Sequence, residues 1–261
     1  MKIFLTFILF VLGLWGYGQN QMKWPDGKQA LIVLTYDDAL ASQLEIAIPQ
    51  LDKANIKATF FLSEPKKEQH ITQWKAASQN GHELGNHSLF HPCSSRAYPA
   101  DPRYYSDNYS VANVIREISL MNKMLIAMDN KIVHTYAYPC GETSVGGRSY
   151  VDSLRKSGFV KYARALGSSP IITNFKNLDP FLVPCKGFQT NAPAADLINF
   201  VKSVQQSRGM AVLIFHGVGG DYLDVSAEVH QQLIHYLDEN RNDIWITTFE
   251  EAMDYVTKNL K

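Results

Sequence analysis

The feature that most restricts the fold is a regular alternation of short apolar runs with segments of helical periodicity. Strand-like runs occupy 30–36, 58–62, 82–86, 134–138, 159–163, 181–183, 210–215 and 244–247. Helical patterns fall between them, over 44–54, 71–80, 111–128, 149–157, 194–206, 229–239 and 249–259. In the longest, Val114, Ile118, Met121 and Leu125 share one face. Strands joined by helical crossovers pair in parallel. Seven or eight of them in one unit favour a closed α/β barrel over an open sheet, and barrels gather reactive groups where strands end and loops begin.

Chemistry-bearing residues fall at those ends. The apolar run Ala30-Leu31-Ile32-Val33-Leu34 leads into Thr35-Tyr36-Asp37-Asp38. Two carboxylates closing a buried strand are costly unless they bind a cation or move protons. Neighbours on a strand point to opposite faces, so Asp37 and Asp38 share a site only if the strand gives way there, near Ala39. His87-Ser88-Leu89-Phe90-His91 offers two imidazoles four residues apart. A helical turn would set both on one face. Asp38, His87 and His91 then make a two-nitrogen, one-oxygen ligand set. It suits zinc, with cobalt, nickel or manganese as alternatives, and leaves positions open for water and substrate. Asp37 remains free as a general base. His216, leaving a buried strand onto Gly217, is placed as a general acid. His82 reads as structural, and His70, His134, His230 and His235 lack a comparable context. The segment 92–110 breaks the alternation and carries Tyr98, Tyr104, Tyr105 and Tyr109, a candidate substrate loop whose rings could pack on sugar faces.

The chain has 261 residues, with 25 basic and 25 acidic. Lys2, an apolar stretch from Ile3 to Trp15, and small Gly16 and Gly18 match an export signal over residues 1–18, cut near Gly18. An uncleaved anchor is the competing reading. Residues 19–261 then form a single catalytic domain in the periplasm or outside the cell, with no stable membrane partner. No basic run exceeds two residues, which argues against nucleic-acid binding. Cys93, Cys140 and Cys185 leave at least one thiol unpaired. One disulfide is possible, but buried unpaired thiols are the favoured expectation.

Together these elements resemble the polysaccharide deacetylases, the family-four carbohydrate esterases with a NodB-homology domain. Thr35-Tyr36-Asp37-Asp38-Ala39 is similar to that family's Thr-Phe-Asp-Asp-Gly element. Gly81 through His91 resembles its His-Ser/Thr-x-x-His element with flanks, Ile214-Phe215-His216 its Leu-x-His element, and Trp245 through Glu251 its closing strand and helix. The resemblance implies a distorted (β/α)7 barrel that removes acetyl groups from an acetylated polysaccharide or oligosaccharide. It also implies Asp37 as base, Asp38, His87 and His91 as metal ligands, and His216 as acid. The backbone amide of Cys140, after Pro139, would serve the oxyanion.

The chain departs from the family at Ala137, where an arginine that pairs with the base usually stands. Arg164, expected just past the strand 159–163, is the candidate replacement. Asp179 is a weak candidate to orient His216, and more naturally a turn residue. N-deacetylation of a GlcNAc-type polymer is the leading expectation. An O-acetyl xylan esterase or an inactive secreted glycan-binding domain are the alternatives, although both aspartates and three histidines are present. A phosphoester hydrolase has no motif in its favour.

Overall fold

The computed structural model describes residues 22–65, 67–97, 99 and 101–260; the expected leader at 1–18 and Tyr98 lie outside them. The elements run β1 (Ala30–Asp37), a π-type turn (Gln43–Ala47) into α1 (Ile48–Lys53), β2 (Thr59–Leu62), α2 (Glu68–Gln79), β3 (Glu83–Asn86), α3 (Val111–Asp129) and β4 (His134–Ala137). A short hairpin of β5 (Ser144–Val145) and β6 (Arg148–Ser149) follows, then α4 (Val151–Lys156), β7 (Val160–Leu166), β8 (Val183–Gly187), α5 (Ala194–Ser207), β9 (Met210–Phe215), α6 (Ala227–Glu239), β10 (Ile244–Thr247) and α7 (Phe249–Asn259).

Seven parallel strands close a barrel in the order β1-β2-β3-β4-β7-β8-β9, with β9 pairing back onto β1. The eighth, β10, lies against the first half of β1, with Ala30 opposite Ile244, and β2 takes over that edge from Thr35 onward. This sharing of one edge distorts the barrel. Period-two alternation divides β1 between two layers. Leu31 and Val33 join Phe61, Ala137, Tyr162, Val183 and Val212 from the other strands in the barrel interior. Ile32, Leu34 and Tyr36 pack outward against Leu51, Leu197, Val201, Leu233 and Ile234 of the surrounding helices. Helix α7 touches β1, β4 and β7 and contributes Phe249 and Met253 to the interior layer, which places it across one end.

The helical and strand assignments from sequence periodicity hold with small shifts. The strand expected at 159–163 extends to Leu166, which puts Arg164 within it, and the one expected at 181–183 begins at Val183. The β5–β6 hairpin, turned by Gly146 and Gly147 at positive φ, was not anticipated, because two-residue strands carry no usable period.

Candidate metal centre

Asp37 continues the series of Leu31, Val33 and Thr35, so its side chain enters the barrel interior. The strand ends there, and the next two residues are left-handed: Asp38 has φ 79° and Ala39 φ 54°. Such conformations cost roughly 1–3 kcal/mol each in residues with a Cβ. They turn the Asp38 carboxylate back, and both aspartates line one cleft.

His87 follows the last residue of β3, but His87 and His91 do not share a helical turn. The segment is a loop with left-handed Ser88 (φ 59°) and His91 (φ 51°). Side chains take the amide bonds that a helix would need: Ser88 donates its N–H to Asn86 Oδ1 at 2.9 Å, His91 to Ser88 Oγ at 3.1 Å, and Phe90 to Glu117 Oε1 at 2.8 Å. The rings still meet, with centroids 4.7 Å apart.

His87 is buried, and its Nδ1 lies 2.8 Å from the carbonyl oxygen of Ala137. That oxygen only accepts, so Nδ1 carries the proton and Nε2 presents a lone pair. Burial, which outweighs the pull of Asp37, lowers the His87 pKa to about 4 and keeps the ring neutral. The Nε2 atoms of His87 and His91 lie 3.4 and 3.3 Å from one oxygen, Asp38 Oδ1. That oxygen is buried and has no hydrogen-bond partner. Burial alone would raise the Asp38 pKa, but His87, His91 and His216, with the Tyr222 hydroxyl, outweigh it and hold the carboxyl low. One atom of each of Asp38, His87 and His91 lies within 4.8 Å of the others. A buried carboxylate oxygen beside two imidazole nitrogens is an arrangement that could hold a divalent cation.

Asp37 sits beside this group but is held differently. Arg164 Nη2 donates to its Oδ2 at 2.5 Å, and His87 Nε2 is 3.6 Å from the same oxygen. Its Oδ1 is buried and unpartnered. Arg164 is itself buried; Asp37 and Cys185 offset its desolvation and raise its pKa further, so it remains a cation. In the β4–β7 register Arg164 stands opposite Ala137, the position where the resemblance calls for an arginine. A small residue on β4 leaves room for a long one at the same level of β7.

His216 follows β9, with Nε2 3.8 Å from Asp38 Oδ2. Asp179 does not orient it, being paired with Arg155 at 2.8 Å and accepting the Phe181 amide. Tyr222, which carried no signal in the sequence, donates its hydroxyl to Asp38 Oδ2 at 2.9 Å. The cleft measures about 850 Å³. Its floor holds Asp37, Asp38, His87, His91, Arg164 and His216, while Phe90, Leu166, Ile214 and Leu223 are among its apolar walls. Cys140 also lines it, within a tight turn closed by the amides of Gly141 and Glu142 onto the carbonyls of Tyr138 and Pro139.

Two expectations need correction. Cys93 and Cys140 form a disulfide, so only Cys185 is a free, buried thiol; residues 47 apart in sequence gave no sign of meeting. The bond ties the segment after His91 to the Cys140 turn. Tyr104, Tyr105 and Tyr109 are not among the residues lining the cleft, where Phe90 and Ala97 stand instead. Tyr104 packs on Phe90 with ring centroids 4.8 Å apart, Tyr105 bridges Cys93, and Tyr109 packs beside Tyr138 and Val145.

The other histidines lie outside the cleft: His235 is exposed beside Glu239, and His134 pairs with Asp129. His82 Nδ1 accepts the Ala58 amide and its Nε2 meets Asp52, while His230 lies between Tyr36 and Gln50.

The fold and this cluster define the class: a (β/α)7 barrel of the NodB type with Asp38, His87 and His91 grouped at the strand ends as a candidate metal site. Residues 25–159, more than half of the 261, match the family model described as polysaccharide deacetylase. The chain belongs to the polysaccharide deacetylase family. Among curated proteins, the uncharacterized YlxY of Bacillus subtilis is 42% identical over 53 residues, which span 20% of this chain and only 17% of that one. Among solved structures, a Mycobacterium smegmatis protein assigned to polysaccharide deacetylases superposes with a TM-score of 0.61 at 15% identity, over 92% of this chain and 94% of that one. A family-four pseudoenzyme of Bacillus anthracis, BA3943, superposes at 0.52 with 19% identity, over 88% and 67%. At such identities the likeness is one of fold.

Proposed function

We propose that the chain is an exported, metal-dependent hydrolase that removes acetyl groups from an acetylated glycan, with the N-acetyl groups of a GlcNAc-type polymer as first choice. One observation carries the reading: Asp38 Oδ1, buried and unpartnered, shared at 3.3–3.4 Å by two imidazole nitrogens. Asp38, His87 and His91 would hold the ion, zinc by donor type, with cobalt, nickel or manganese as alternatives. Such an ion would supply Lewis acidity toward the acetyl carbonyl and lower the pKa of water so that a base can deprotonate it for attack.

The protein's own groups then divide the proton work. Asp37 accepts the proton of the attacking water, and Arg164 holds that carboxylate in place. His216 returns a proton to the leaving nitrogen, which an amine requires before it departs. The Cys140 amide serves the oxygen that gains charge. The test is acetate release from a panel of N- and O-acetylated glycans, with and without chelator. Chelator-sensitive release from N-acetyl substrates supports the reading. No release from any substrate by metal-loaded protein would leave a glycan-binding domain, as the pseudoenzyme relationship allows.

An O-acetyl substrate is favoured by a separate observation. Asp179 is occupied by Arg155, so it gives His216 no carboxylate support. An alkoxide leaves with less proton assistance than an amine. Faster release from acetylated xylan than from N-acetylated polymers would select this second reading.

Export is supported by the leader pattern of residues 1–18 and by the Cys93–Cys140 disulfide, which suits an oxidising compartment. Among the described residues no helix is long and apolar enough to cross a membrane. Amino-terminal sequencing of the secreted protein should read from Gln19; a protein retained in membranes with Met1 intact would indicate an anchor.

A further inference from the structure

The loop after His216 is built with more care than a connection between β9 and α6 requires. Gly217 donates its N–H to the Tyr222 carbonyl at 3.1 Å, Val225 to Gly217 at 3.2 Å, and Gly219 to Val225 at 2.8 Å. A Cβ at position 217 would collide with the Gly220 carbonyl oxygen, so glycine is required there. Two anchors fix the loop to the segment after Asp38. Ser42 donates its N–H to Asp221 Oδ2 at 2.8 Å, and Val218 donates to Ser42 Oγ at 3.2 Å. Asp221 and Leu223, which flank the tyrosine, are both left-handed, with φ 63° and 48°. Strain of this kind persists only where surroundings impose it.

The outcome of this construction is the Tyr222 hydroxyl on Asp38 Oδ2 at 2.9 Å. The two oxygens of Asp38 thereby face different partners. Oδ1 faces both imidazole nitrogens and is bare; Oδ2 is engaged by the phenol, with His216 Nε2 at 3.8 Å. We infer that Tyr222 is a positioning residue that reserves Oδ2 and so commits Asp38 to bind a cation through Oδ1 alone. The inference rests on the metal-site reading above. A one-oxygen carboxylate leaves one more position for water and substrate than a chelating carboxylate does. Outer hydrogen bonds of this type typically govern metal affinity by about 10–100-fold.

Tyr222→Phe tests it, since it removes only the hydroxyl from a side chain that is half exposed and contributes little to the core. Co2+ is titrated into chelator-stripped wild type and variant, with affinity and visible absorption recorded, and thermal unfolding of the metal-free proteins checks the fold. The expected result is about 10-fold weaker binding and a weaker absorption band, because band intensity falls as the second oxygen joins the coordination shell. Asp221→Ala, which loosens the loop and keeps the phenol, should shift both readouts in the same direction by less. Equal affinity and an unchanged spectrum in Tyr222→Phe would overturn the positioning role while leaving the metal site standing. Wild type that binds no Co2+ would overturn both.

Discussion

Two clusters of buried carboxylates occupy different parts of this barrel, and they are satisfied in opposite ways. Around the starts of β3 and β4, Glu83 accepts from Thr59 at 2.8 Å, from the Glu250 amide at 2.8 Å and from Thr135; Asp129 meets His134, which also contacts Asn122 at 2.7 Å. Among the described residues, no side-chain atom of these four polar partners, Glu83, Asp129, His134 and Asn122, is buried without a hydrogen bond. At the strand ends, Asp37 Oδ1 and Asp38 Oδ1 are both buried and bare. Burial of a carboxylate therefore does not single out the candidate site; an unfilled carboxylate oxygen does. The first cluster ties α7 to the barrel, since the Glu250 amide lies in that helix's first turn. The second leaves open the coordination a cation would complete.

The largest effects should come from the open cluster. Asp38→Ala should abolish divalent-metal binding and cut acetate release by about 10⁴-fold, since a metal supplies several kcal/mol to the transition state. Asp37→Asn should retain the metal, measured by calorimetry, yet lose about 10³-fold in turnover through the missing base. Normal turnover in that variant would end the base assignment. Arg164→Ala should cost about 10²-fold, on the scale of one general acid–base contribution. It should also destabilise the protein by roughly 3–5 kcal/mol, because Asp37 is left as an uncompensated buried charge. Because Ala137 and Arg164 are register partners, Ala137→Arg added to Arg164→Ala should recover much of both. No recovery would mean that β4 cannot present the guanidinium to Asp37.

The satisfied cluster should answer only in stability. Glu83→Gln replaces an acceptor oxygen with a donor among three donors and should cost about 1–3 kcal/mol in denaturant unfolding, with metal affinity unchanged. A loss of metal affinity would break the distinction between the clusters. The pH dependence of the metal-free protein sharpens it further. His87 is held at about 4 against an ordinary 6.5, so the folded state binds fewer protons between those values. Stability should fall as pH drops from about 6.5 to about 4, by on the order of 3 kcal/mol. The lowered carboxyl of Asp38 adds a loss at still lower pH, below its ordinary 3.8. Glu83 has the opposite sign. Burial raises its pKa above 4.5, so stability declines as pH rises from 4.5 through the raised value. Glu83→Gln should remove the decline on that side and leave the acid limb intact.

Sequence and structure agree most closely where a period is long enough to be read. The strand ends that carry Asp37 and His216 follow from apolar runs whose packing the barrel enforces, whereas the strand before His87 is the short and mostly polar Glu83-Leu84-Gly85-Asn86. Arg164 is legible because Ala137 leaves Asp37 without its expected partner, although the apolar pattern of 159–163 stops one residue short of it and β7 runs on to Leu166. Turn geometry was not legible. Ser88 and His91 adopt left-handed conformations that no glycine announces, so the spacing of His87 and His91 suggested a helix where a loop brings them together. Tyr222 lay in a glycine-rich loop with no periodic signal, and only its anchors through Asp221 and Ser42 bring it to Asp38. The tyrosines of 92–110 were countable but not orientable: composition shows how many rings a loop has, whereas packing sets the direction of Tyr104, on Phe90, and of Tyr109, against the cluster that holds Val145.

The most direct measurement is calorimetric titration of Zn2+ into chelator-stripped wild type, Asp38→Ala and Glu83→Gln. The account predicts a single tight site in wild type, the same site in Glu83→Gln, and no site in Asp38→Ala. Equal binding by wild type and Asp38→Ala, or none by wild type, would contradict it.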